Sequence, residues 1–243
     1  MKKRTKMDSE TRLKQIRDSE KQSHIEMYSN SELYKEGSWL RKPIKTILDI
    51  IPLFNDYSEL NVLDLGCGVG RNCIAVAQSF KNIPCKIDCV DILDLAIEKL
   101  YENAEELGVA SSINGIVETI ENYPVGENKY DLVLAISALE HIDPEQSFLS
   151  KLSEINRGIR KNGIVCFVIN SDVKETDKST GKEIPAQFEV NLQTENLQAV
   201  LKEKFSDFEI MKATVSEQQY DIPRGDIISD LKTKVVTFVA RKK

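Results

Sequence analysis

Residues 62 to 70 read Val-Leu-Asp-Leu-Gly-Cys-Gly-Val-Gly, and no other stretch constrains the chain as strongly. An apolar run from Val62 to Leu65 carries one acid, Asp64, then breaks into glycines at alternate positions, Gly66, Gly68 and Gly70. Beyond them, residues 71–80 have helical spacing, with Ile74, Ala75, Val76, Ala77 and Phe80 available for one buried face. Glycine has no Cβ, so a strand that turns through glycines into a helix lets a ligand lie against bare backbone. The helix start behind the turn adds free N–H groups and a positive dipole end. At the end of a first strand, such a turn is the nucleotide-type site of a doubly wound α/β sheet. Without further context it is also a plain strand–helix turn.

The context is a second strand-like run, 87–92, with Asp91 near its C-terminal end, 21 residues beyond Gly70. An acid at that place accepts hydrogen bonds from ribose hydroxyls, because an ionised carboxylate offers two acceptor oxygens and no donor. Asp91 is also placed to cap a helix over residues 93–107, and both roles can hold in part, but the spacing favours ribose. Two details separate the candidate ligands. Position 71 is Arg, where the dinucleotide pattern needs its last glycine. Asp64 lies just ahead of the glycines, and S-adenosylmethionine brings an ammonium group that wants carboxylate and carbonyl acceptors rather than a pyrophosphate cradle. A nicotinamide-dependent oxidoreductase on a similar sheet is the alternative reading.

These residues resemble those of a known family. Val62 to Gly70 is similar to the first motif of class I S-adenosylmethionine-dependent methyltransferases, and Asp91 matches their second-strand acid. Tyr130-Asp131-Leu132-Val133-Leu134 resembles their fourth strand, and Leu139-Glu140-His141-Ile142 the segment after it. Arg160-Lys161-Asn162-Gly163 resembles the Lys-Pro-Gly-Gly turn before the fifth strand. The resemblance covers residues 60 to 170. A weaker one, in Gly70-Arg71-Asn72 and the closing run from Val235 to Lys243, points to bacterial tellurite-resistance methyltransferases.

The resemblance implies a Rossmann-like sheet, mostly parallel, closed by a C-terminal antiparallel strand pair. It implies that Asp64 and the backbone at Gly66, Cys67 and Gly68, with Gly70 completing the loop, face the methionine end of S-adenosylmethionine. Asp91 would hold the ribose and Ile92 would pack on adenine. The family's usual third-strand acid falls on Thr119, so either the neighbouring Glu118, or Thr119 with backbone near Ile120, would hold the base. Ser137 to His141 follow the fourth strand, where cofactor and substrate meet. Only His24 and His141 exist, so a histidine base is one of them, and His141 is the better placed. Packing or a supporting hydrogen bond is the favoured reading of His141 over a base. The implied reaction is methyl transfer to a small-molecule acceptor, with no metal. A non-catalytic methyltransferase-like binding protein would carry the same cofactor residues.

Along the chain, strands are expected near 61–65, 86–91, 113–117, 130–136 and 163–170, and helices near 71–80, 93–107, 145–159 and 194–204. Two further strands, 208–215 and 234–241, are joined by a hairpin near 220–230. Residues 171–193 read as a polar, substrate-side loop. Residues 1–59 read as a helical cap on a core of 60–243, with a helix from about Leu40 or Lys42 to Ile51, ended by Pro52. In the cap, Tyr28, Tyr34, Trp39 and Arg41 form an aromatic and cationic cluster that serves as a lid or as ordinary packing. Arg41 has the geometry to pair with the cofactor carboxylate.

The bulk numbers narrow the partners. Hydrophobic residues make up 41% of 243, enough for one full core. A net charge of −6 argues against general nucleic-acid affinity, although the first twenty residues are locally basic. No run approaches the length of a membrane span, and the start lacks an apolar signal core. The five cysteines are odd in number and mostly fall in expected core elements, which fits reduced thiols in the cytoplasm. Cys85 and Cys89 lack a second pair or a nearby His, so zinc is not expected.

Overall fold

In a computed structural model of the chain, the residues described are 14, 16–18, 21–22, 24–186, 188–225 and 227–243. The basic start noted above lies largely outside them. The apolar runs flanking the glycine motif become the centre of one sheet. Its strands are β1 (Leu60–Leu65), β2 (Cys85–Asp91), β3 (Ile113–Val117), β4 (Tyr130–Ile136), β5 (Ile159–Asp177), β6 (Glu183–Ile184), β7 (Phe208–Arg224) and β8 (Ile227–Lys242). The helices are α1, helical at every described position from 14 to 30, then α2 (Lys45–Ile50), α3 (Cys73–Ser79), α4 (Asp94–Glu106), α5 (Glu145–Gly158) and α6 (Thr194–Lys204).

Strand order is β3-β2-β1-β4-β5-β8-β7, with the short β6 pairing β5. The first five strands run parallel, and β8 lies antiparallel between β5 and β7. Parallel strands covered on both faces are apolar throughout, which is why they were legible as continuous runs. Alternate residues feed two cores. Leu63, Leu65, Val133, Ala135 and Phe167 pack with Phe148, Leu152 and Ile155 of α5 and with Leu197 and Leu201 of α6. Val62, Ile87, Leu132 and Cys166 pack with Ile47, Ile74 and Leu100 from α2, α3 and α4 on the other face. The order in which strands are laid down reverses between β1 and β4, and the crevice at such a switch point is where this architecture binds ligands.

The first four expected strands agree with the structure to within a residue; the C-terminal half differs. β5 is 19 residues long and absorbs both the expected 160–163 turn and the start of the expected 171–193 loop. A bulge in the β4–β5 pairing and Asn162 at φ 68° mark where the turn motif lies. β7 and β8 extend to 17 and 16 residues, so the hairpin narrows to the turn around Gly225. This extension is held by buried polar groups rather than by apolar alternation. Ser229 Oγ donates to Glu175, Arg224 Nε donates to the same carboxylate at 2.8 Å, and Thr233 Oγ1 donates to Asn170 Oδ1 at 3.1 Å.

Candidate active site

A cavity of about 460 Å³ opens at the C-terminal ends of β1, β2 and β4, roofed by α1. The glycine loop forms one wall. The N–H groups of Gly66 and Cys67 both donate to Val90 O, at 2.8 and 3.0 Å, which fastens the loop to the end of β2. Gly66 and Gly68 take φ values of 73° and 53°, open to glycine at little cost. A Cβ on Gly66 would overlap the Ala138 side chain, and one on Gly68 would stand 2.8 Å from the Tyr28 hydroxyl. Gly70 differs: a Cβ there would meet Ile74 and Leu100 at 2.6 Å, so this glycine serves helix packing and does not line the cavity.

Asp91 combines the two roles read for it. Its Oδ2 accepts from Gly68 N–H at 2.9 Å, and its Oδ1 accepts from Leu93 N–H at 3.0 Å, at the turn into α4. Burial pushes its carboxyl up, opposed by those N–H groups. It also lines the cavity beside Ile92, leaving lone pairs for a diol. Asp91→Ala is therefore expected to weaken cofactor binding by at least about tenfold and to lower stability as well, since hydrogen bonds to a charged acceptor contribute about 1.5–3 kcal/mol each. Calorimetry and urea melts of both proteins check this; unchanged affinity would remove Asp91 from the site.

Asp64 does not reach the cavity. It sits on the α3 side of β1, 2% exposed, with Oδ2 unpartnered and its carboxyl against Cys73. Burial pushes its pKa up to about 7. Folding thus favours the protonated form. The stability Asp64 contributes is complete below the ordinary carboxylate range and is lost as pH rises through about 7. Asp64→Asn, which stays neutral, is expected to gain on the native protein between about pH 4 and 7 in urea denaturation, and to level off above that. A difference independent of pH would refute the buried-acid account.

Beyond β3 the cavity presents Thr119 and Ile120, whereas Glu118 turns away to accept from Thr119 N–H at 2.8 Å. The other end is formed by the turn after β4, with Ser137, Ala138 and His141. Ser137 holds φ 52°, and its N–H donates to Val168 O at 2.7 Å. His141 Nδ1 lies 2.9 Å from Glu189 Oε2, and its ring stacks on Phe188 at 5.4 Å. Glu189 was not singled out from sequence, because it is one acid among many in a polar segment. The backbone fixes it in place: Val190 N–H donates to Glu140 O at 2.9 Å, and Glu140 Oε1 accepts from Asn170 N–H at 3.0 Å.

The cap cluster divides. Tyr28 and Trp39 line the cavity; Tyr34 donates to Arg71 O at 2.8 Å instead, and Arg41 borders a separate shallow groove with Lys42 and Leu48. Arg71, not Arg41, reaches the cavity, with its guanidinium 5.7 Å from the Trp39 ring centroid. Arg17, Lys21 and His24 of α1 also face inward, a stripe at helical spacing whose polarity hid it among solvent-facing residues. All five cysteines are buried and unpaired. Among the described residues no three ligating side chains could hold a metal, and no helix is long and apolar enough to cross a membrane.

Residues 62–163 match the family model described as a methyltransferase domain. Over that span, less than half of the chain, the sequence is similar to a methyltransferase domain. A ubiquinone biosynthesis O-methyltransferase from Rickettsia canadensis is 35% identical over 112 residues, 46% of this chain and 43% of that one. A malonyl-[acyl-carrier protein] O-methyltransferase from Ilyobacter polytropus is 34% identical over 122 residues, 50% of this chain and 43% of its own length. The chain thus spans less than half the length of these curated relatives. Among solved structures, TehB from Haemophilus influenzae shares the fold, with a TM-score of 0.59 and 21% identity over 80% of this chain and 62% of TehB. The matched span coincides with the sheet half that carries the glycine loop, Asp91 and His141, and it stops short of the long β7–β8 extension.

Proposed function

We propose that the cavity binds S-adenosylmethionine and that the chain transfers its methyl group to a small-molecule acceptor. One observation carries this reading: a single cavity joins a side-chain-free glycine wall and Asp91 at one end to His141 and Glu189 at the other. The missing Cβ atoms at Gly66 and Gly68, the carboxylate of Asp91 and the Thr119–Ile120 edge suit the methionine, ribose and adenine parts in turn. When bound, the cofactor supplies a methyl group already activated on a positively charged sulfur. What the chain adds is placement, which removes entropy from the barrier by holding the acceptor on the line of displacement. With Nδ1 turned to Glu189, His141 lines the cavity as the candidate to take an acceptor proton. Arg71, which reaches the cavity where Arg41 does not, suits the cofactor carboxylate.

The names of the two curated relatives favour an oxygen acceptor. Residues 1–59 act as a cap on the 60–243 core, a reading supported by the small cluster in which Tyr28 and Leu40 pack with Val69, Leu93 and Ala96. The five unpaired thiols support a cytoplasmic location. Calorimetry with S-adenosylmethionine, S-adenosylhomocysteine, NAD and NADP tests the cofactor, and a preference for a nicotinamide would overturn the reading. Release of S-adenosylhomocysteine against a panel of small hydroxyl and carboxyl compounds tests turnover. Binding with no turnover on any acceptor would favour the non-catalytic alternative.

A further inference from the structure

Arg17 reaches from the cap helix to two acids on different parts of the core. Its Nη2 lies 2.8 Å from Glu121 Oε1, on the segment between β3 and β4, and its Nε lies 3.7 Å from Glu189 Oε1. The second oxygen of Glu189 is the one that meets His141 Nδ1 at 2.9 Å. Glu189 is therefore shared between the roof of the cavity and the histidine in its wall. Its side chain is only 2% exposed, so water screens neither contact well. We propose that Arg17 is a positioning residue that, by sharing Glu189, makes the hydrogen bond holding His141 depend on the seating of the cap.

The physical argument is competition for one carboxylate. With the cap seated, Arg17 draws on the charge of Glu189, and less of that charge stabilises a protonated His141. With Arg17 gone, Glu189 serves His141 alone and favours the imidazolium. A seated cap thus keeps more of His141 neutral, the form that can serve as a base. Other charges face the same space. Glu140 adjoins His141 in the turn after β4, Glu121 takes the far side of Arg17, and Asp18, Lys21 and His24 come from α1. The inference rests on the proposed role of His141, yet its test does not need turnover.

Titration of the full chain by NMR, with labelled histidine, reads His141 directly, because His24 is the only other histidine and a His24→Gln variant assigns it. Glu189→Gln is expected to lower the His141 midpoint by about one unit, and Arg17→Gln to raise it by about half a unit. Arg17→Lys should return it close to the native value. The double variant should titrate where Glu189→Gln does. Arg17→Gln with an unshifted midpoint would overturn the proposal. So would an Arg17→Gln shift that persists in the Glu189→Gln background, because Arg17 would then act only by pinning the cap. If the chain methylates no tested acceptor, the order of midpoints still decides the coupling. If it does turn over, the acid limb of kcat/KM should follow the same order.

Discussion

Gly68→Val is expected to weaken S-adenosylmethionine binding by at least about 100-fold, the largest effect on affinity of any single change considered. The residue holds φ 53°, a conformation that a β-branched side chain resists, and its missing Cβ forms part of the cavity wall. The added carbon would first meet the tip of the Tyr28 side chain, which can swing aside. The fold should therefore survive while the wall moves into the space reserved for ligand. Gly108→Ala is the matching control, since it too has positive φ, at 68°, but open space around it. Calorimetry on both variants, with circular dichroism to confirm folding, gives the comparison. Native affinity in the valine variant would show that the loop does not touch cofactor.

His141→Ala should lower turnover by roughly 10²–10⁴-fold while cofactor affinity hardly changes, provided that the acceptor gives up a proton during transfer. Glu189→Gln should cost less, because an amide oxygen can still accept from Nδ1 but supplies no charge. If the acceptor is already an anion or presents a neutral lone pair, His141→Ala costs little and acts through substrate binding. Turnover against pH separates the cases. A profile whose acid limb is unchanged in the alanine variant would take His141 out of the chemistry and favour an acceptor that needs no base.

The sequence exposed those parts of the protein whose physics is local. β4 was placed to the residue, because a strand buried on both faces is an apolar run closed by turn residues. The ends of β1, β2 and β4 were legible as a site for a related reason: glycines and a lone acid interrupt those runs at fixed distances. The extension of β5, β7 and β8 was not legible. Glu175, Ser229 and Thr233 are buried, and what makes burial tolerable for each is a partner dozens of residues away. Glu189 and Arg17 escaped notice likewise, since a paired acid and a paired base look in sequence like any solvated charges. Asp64 failed in the opposite sense. Its place beside the glycines was read correctly, but alternation along β1 turns it toward α3 and away from the cavity.

The position of β8 between β5 and β7 sets an order on how the protein is made. On the ribosome, β1 to β5 emerge first and can form their parallel array, but the free side of β5 then has no neighbour. β7 emerges after β6 and α6 and has no strand in that array to join, because among the described residues it pairs with β8 alone. Phe167 gains its stacking contact with Phe238 only when β8 arrives, along with the cover given by Val236 and Ala240. A nascent chain paused after β7 therefore displays both a bare strand edge and an incomplete core, the combination that invites aggregation or chaperone capture. The strand farthest in sequence from the glycine loop is thus the one on which completion of the sheet waits.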